Sequence, residues 1–183
     1  RYDGVCEPTD YAFDVLHSGL LMLPLQRDST EFVRGTRPLT ILNHGTQPNN
    51  LLVPSNLWNA TEPDGLVLFG TLFTSMTATI SLLPDFTGYG ESRHDAYRAY
   101  VVGQGYATAT LPLLWKAETY LEEVADCKLA ASNDVIVVGY SEGGYASIAL
   151  ADILHHRLGM NIIQVRAGGS PIKISTEQLK FLV

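Results

Sequence analysis

Gly139-Tyr140-Ser141-Glu142-Gly143 sets one serine between two glycines, directly after the apolar run Val135–Val138 and directly before a segment of helical periodicity. A serine so placed can be a nucleophile. The reversal from buried strand to helix lifts its hydroxyl clear of the backbone, and glycines flank it because bulkier residues would clash there. The first amides of the helix point at the same spot and favour negative charge that develops nearby. Attack of such a hydroxyl on a carbonyl carbon makes an oxyanion, which needs hydrogen-bond donors. The amide of Glu142, just after the serine, is one candidate. His44-Gly45-Thr46 ends an earlier strand and offers a second, through the amide of Thr46 or of Gln47. His44, Gln47 and Tyr140 are then the side chains placed to line a substrate pocket. The five-residue pattern is common by itself, and the strand before it and the amphipathic helix after it are what give it weight. The competing reading is a glycine-rich turn whose serine only caps the helix.

A serine hydroxyl is a weak nucleophile until a histidine takes its proton and a carboxylate orients that histidine. Beyond Glu142, the acids after Ser141 are Asp152 and Glu177, and the histidines are His155 and His156. Asp152 and His155 share the serine's own helix, about 16 Å and about 20 Å along its axis. Hydrogen-bond reach is about 3 Å, so neither can serve. They read as solvated groups at the helix end, where a protonated histidine is also favourable. His94 lines the pocket or stays on the surface, and His17 has no supporting context. No base in this sequence is placed to reach Ser141.

Composition narrows the rest. At 183 residues, with 46% hydrophobic and 17% charged side chains, the chain has the make-up of one folded domain with a sizeable core. Its net charge of −7 and its lack of a Lys/Arg cluster argue against nucleic acid or a membrane surface as partner. Cys6 and Cys127 stand too far apart to define a disulfide framework; they can pair with each other, pair elsewhere, or stay as thiols. No metal-ligand spacing occurs and no cofactor is implied. Asn59-Ala60-Thr61 fits the glycosylation triplet. Leu66–Leu83 is uncharged over a bilayer-spanning length, but six Ser/Thr residues and a glycine dilute it and Pro84-Asp85 follows. It reads as a helix followed by a buried strand, with no stable membrane insertion.

The elements that must position the serine follow from alternating apolar runs and helix-period runs. This is the α/β pattern of a mostly parallel central sheet with helices on both faces. Strands are expected at Leu39–Gly45, Ala78–Phe86, Asp134–Gly139 and Asn161–Gly169, with a further one within Asp14–Leu25. Asp134–Gly139 reads as a central strand covered on both faces. Helices are expected from Pro63-Asp64 to about Met76, around Asp95–Gly103, and over Pro112–Ala130. Another carries the stripe Ala146, Ala149, Leu150, Ile153, Leu154 and Leu158, closed by Gly159. Ser175 and Gln178 match a capping box. The expectation is one domain over residues 1–183, less regular before Leu39.

Three stretches, "LNHGT", "PDFTGYGES" and "GYSEGGYAS", together resemble the α/β-hydrolase fold and, within it, the secreted lipase and esterase branch. "RAGGSPIKIS" is similar to the strand that precedes the lid in that branch, so a lid would begin near residue 175. The resemblance implies a serine hydrolase that cleaves carboxylic esters, lipid-like or other small molecules, through an acyl-enzyme on Ser141. It implies a secreted protein, and it implies that the acid and the histidine belong to two later strands. On that reading the sheet is incomplete at its C-terminal side and the chain alone is close to inactive. The start at Arg1 and the helix broken off at Val183 favour a fragment. A peptidase or acyltransferase on the same fold, or an inactive hydrolase-like binding protein, stays open.

Overall fold

The structure, a computed structural model, describes residues 15–57, 65–94, 96–98, 100–123 and 129–172. Cys6, Cys127, the Asn59–Thr61 triplet, the helix start at Pro63-Asp64, Glu177 and the capping box at Ser175 lie outside the described residues.

Among the described residues, five strands form one sheet: β1 (Gly19–Met22), β2 (Gly35–Asn43), β3 (Ile80–Pro84), β4 (Leu129–Tyr140) and β5 (Asn161–Gly168). Their order is β1-β3-β2-β4-β5, with β1 antiparallel to β3 and the other pairings parallel. Three α-helices connect them: α1 (Gly65–Thr77), α2 (Gly103–Glu123) and α3 (Glu142–Leu158). The fold is α/β with a mostly parallel sheet, as the alternating pattern requires.

Successive side chains on a strand point to opposite faces. Leu39, Ile41, Ile80, Leu82, Val135 and Val137 face α2 and α3, where Leu114, Leu121, Leu150 and Leu154 complete the core. Each such buried aliphatic side chain contributes about 1.5–3 kcal/mol. Helix α1 covers the other face, with Gly70 resting on Leu42, Met22 and Leu83. Hydroxyls that dilute Leu66–Leu83 find partners beneath it: Thr74 donates to Ser81 at 2.6 Å, and Thr40 of β2 donates to Thr79 at 3.2 Å. Among the described residues, no helix is long and apolar enough to cross a membrane.

Four expectations need correction. Of the helix expected around Asp95–Gly103, the described residues 96–98 and 100–102 are not helical. The helical turn lies earlier, a 3-10 turn at Gly90–His94 in which the Ser92 hydroxyl accepts from the Gly88 amide at 2.8 Å and donates to the Tyr89 carbonyl at 2.9 Å. Helix α2 starts nine residues before Pro112, because Tyr106, Ala107, Ala109 and Thr110 extend the stripe buried at Leu114, Ala117 and Leu121. Its described part runs to Glu123, residues 124–128 lie outside the described residues, and Leu129–Ala130, expected as helix, pair with Gly35–Thr36 of β2 as strand. Strand β4 is central, but among the described residues only its Val135 and Val137 face is fully covered, and Ile136 and Val138 are half-buried.

Candidate active site

The C-terminal ends of β2 and β4 lie side by side, with Asn43 in register with Gly139. From there β4 passes through Tyr140 and Ser141 into α3. Ser141 has φ 56° and ψ −121°, a positive φ that L-residues rarely adopt. The two glycines answer a shortage of space. A Cβ on Gly139 would overlap the Gly143 carbonyl and lie 2.7 Å from the Ser147 hydroxyl. A Cβ on Gly143 would overlap the Asn43 carbonyl and lie 2.5 Å from that of His44. The Ser141 amide donates to the Gly168 carbonyl at 2.8 Å, and its carbonyl accepts from Gly144 and Tyr145 at 3.0 and 3.2 Å. The Ser141 hydroxyl makes no capping bond and is partly exposed.

The loop after β2 leans on this turn, with Gly45 placed so that a Cβ would lie 3.3 Å from the Tyr140 carbonyl and 3.9 Å from the Ser141 Cβ. Thr46 is exposed and Gln47 half-buried. His44 is 1% exposed; its Nδ1 lies 2.7 Å from the Gly45 carbonyl and its Nε2 3.0 Å from that of Asp85. Its ring packs on Phe86 and edge-on to Tyr89, so it braces the loop from below. Tyr140 is 71% exposed, and its ring lies over Gly168 and Gly169. The structure thus gathers Ser141, the Glu142 amide and the Gly45–Gln47 loop, places His44 under them, and turns Tyr140 towards β5.

The Glu142 side chain turns inward and is buried. Its Oε1 accepts from the Tyr106 hydroxyl at 3.0 Å, and the same hydroxyl accepts from the Val101 amide at 2.8 Å. Burial first, and the neighbouring Glu142 charge second, push the Tyr106 hydroxyl well above the ordinary tyrosine value. Among the described residues Glu142 Oε2 has no partner, and Glu142 lines a small void with Phe86, Thr87, Gly105 and Tyr106. The amide of Glu142 occupies the first helical position, where no intrahelical carbonyl is available. Tyr106 lies 36 residues from Glu142 in a run with no chemical pattern, so the sequence held no sign of this pairing.

Asp85, in the "PDFTGYGES" stretch, clamps the rear of the site. It is fully buried and accepts from the Ser18 hydroxyl at 2.5 Å, from the Ser55 amide at 3.0 Å and from the Ser55 hydroxyl. Two of the other histidines are engaged away from Ser141. His155 meets the Met160 carbonyl at 3.2 Å and exposed His156 pairs with exposed Asp152 at 3.5 Å, both at the far end of α3. His94 is exposed beside Arg93 and Tyr97. His17 is half-buried, and burial lowers its pKa.

No protein-family model matches the sequence, and no curated protein is similar to it at a significant level. The solved structures do match: the chain shares the α/β-hydrolase fold with them. A hydrolase candidate from Legionella pneumophila aligns over 86% of this chain at TM-score 0.66 and 21% identity. The N228W variant of LipA, a rice cell wall degrading esterase from Xanthomonas oryzae, aligns over 85% at TM-score 0.64 and 20% identity. Another structure of that esterase gives 84%, 0.61 and 22%. The chain spans 38%, 38% and 37% of the length of the chains in these three structures. Identities near one fifth carry the fold and leave the chemistry to be argued from the site.

Proposed function

We propose that the chain carries the nucleophile of a serine hydrolase that cleaves carboxylic esters. One observation carries this reading: Ser141 is held at a positive φ between glycines that have no room for a side chain, yet its hydroxyl caps nothing. A serine kept only as a helix cap would bond the free amides of the first turn. The LipA esterase among the structural neighbours supports the ester class.

In this mechanism the Ser141 Oγ attacks the ester carbonyl carbon, and the carbonyl oxygen takes the negative charge. The amides of Glu142 and Thr46 hold that oxyanion, and one such donor stabilises the transition state by about 3 kcal/mol. Collapse expels the alcohol and leaves an acyl-enzyme on Ser141, which water then hydrolyses. The proton passes through a base, a role this proposal assigns to none of the histidines described above. That same observation favours, as second reading, an inactive hydrolase-like binding protein. A peptidase or acyltransferase would share the acyl-enzyme step.

Protein expressed from the complete coding sequence, treated with a fluorophosphonate, should gain one label on the Ser141 peptide and lose nitrophenyl-ester turnover with it. A Ser141→Ala variant should neither take the label nor turn over the ester. Labelling that persists in Ser141→Ala refutes the assignment, and a wild-type protein that neither labels nor turns over supports the binding-protein reading.

A further inference from the structure

Past His44, the loop that carries the second candidate donor has little to hold it. Among the described residues, Gly45, Thr46 and Gln47 enter no hydrogen bond between main-chain groups. The Asn49 carbonyl accepts from Leu52 at 3.1 Å within a local turn, and the Asn50 carbonyl, which accepts from Gly90 at 2.9 Å, is the next main-chain tie to another segment. Between His44 and Asn50, the Gly45 carbonyl meets only its neighbour's ring at His44 Nδ1, 2.7 Å away, whereas a distant segment grips the Gln47 carbonyl. The Arg98 guanidinium donates to it at 3.1 Å, and the Tyr89 hydroxyl stands 3.5 Å away.

Each part of this grip has its own support. The guanidinium lies 4.4 Å over the Tyr89 ring, a cation–π placement. The ring itself is 1% exposed and wedged against His44. The main chain of Arg98 sits directly on Gly88, whose φ is +84°, and a Cβ there would lie 2.6 Å from the Arg98 nitrogen. Gly88 thus leaves the space that lets Arg98 reach across to the loop.

We infer that Arg98 is a positioning residue for the second oxyanion donor, fixing the Thr46 and Gln47 amides against the Ser141 turn through the Gln47 carbonyl. This role rests on the ester-hydrolase reading above. A flexible loop would present those amides in the required place only part of the time, and a misplacement of about 1 Å can slow turnover about 100-fold. Arg98 is itself exposed, so its removal leaves the core intact.

The test compares wild type, Arg98→Met and Arg98→Lys from the complete coding sequence. Arg98→Met should lower kcat about tenfold or more with KM changed less than twofold. It should weaken a trifluoromethyl ketone, whose adduct places an oxyanion in the hole, by a similar factor, and leave Tm unchanged. Arg98→Lys, which keeps a donor and a cation, should recover part of both losses. Hydrogen exchange separates the two readings. Amides 45–47 should exchange at least tenfold faster in Arg98→Met, with the rest of the chain unaltered. Unchanged exchange, or a loss confined to KM, overturns the role of Arg98 even if Ser141 labels. Faster exchange in Arg98→Met, when the wild-type protein never labels Ser141, keeps the clamp and overturns the ester-hydrolase reading, and the positioning of an oxyanion donor with it.

Discussion

Replacing Gly143 with alanine tests whether the turn and the loop after β2 share one tightly filled space. The new Cβ would lie 2.5 Å from the His44 carbonyl oxygen and nearer still to that of Asn43. A relaxed carbon–oxygen approach is about 3.3 Å, so one side must retreat by about 1 Å. Both obstacles are main-chain oxygens, and no rotamer change relieves them. Forcing a methyl group into such packing costs about 1–3 kcal/mol. At about 2–4 °C per kcal/mol for a chain of this size, Tm should fall by about 2–12 °C. The same retreat would move the Thr46 amide from Ser141, and displacements of this size slow catalysis about 100-fold. Thermal unfolding followed by circular dichroism reads the first quantity, and nitrophenyl-ester turnover by protein from the complete coding sequence reads the second. Gly65→Ala, where a Cβ meets nothing within 4 Å, is the control and should match wild type or exceed it slightly. A Gly143→Ala protein with wild-type Tm and turnover would refute the reasoning.

Two further outcomes are expected. Tyr106→Phe removes the donor to Glu142 and the acceptor for Val101 together, which should destabilise the fold by about 2–5 kcal/mol in chemical denaturation. Because the folded-state pKa of Tyr106 is raised above its ordinary 10.0, wild-type stability should fall as pH rises past 10.0, and a shallower alkaline slope in Tyr106→Phe would show it. Asp85→Ala leaves the Ser18 hydroxyl and both Ser55 donors without their acceptor, for a loss of about 3–5 kcal/mol in the same assay.

The parts legible in the sequence are those where neighbouring residues fix one another. Val135–Val138 could only be a buried strand, Gly139 and Gly143 had to bracket a tight reversal, and the Ala146–Leu158 stripe had to be a helix. The first turns of α2 were hidden because Gly103 and Gly105 weaken local propensity and Pro112 resembles a helix start. Packing of Tyr106, Ala107 and Ala109 overrides both. The first residues of β4 were hidden because Ser132-Asn133-Asp134 carries turn chemistry, yet the strand runs through it towards Leu129. The Tyr106–Glu142 and Arg98–Gln47 contacts join residues 36 and 51 positions apart, a relation that no local pattern encodes.

The register that puts Asn43 opposite Gly139 has a consequence for how such a protein can evolve. Peptide groups from two adjacent strand ends frame the candidate site, and peptide groups do not mutate. Drift can therefore rewrite most side chains, provided the few positions squeezed between those ends stay small. A shared architecture at 20% to 22% identity is what that freedom permits. Exposed Thr46 and Tyr140 could be exchanged for a new diet while the frame beneath them is inherited unchanged.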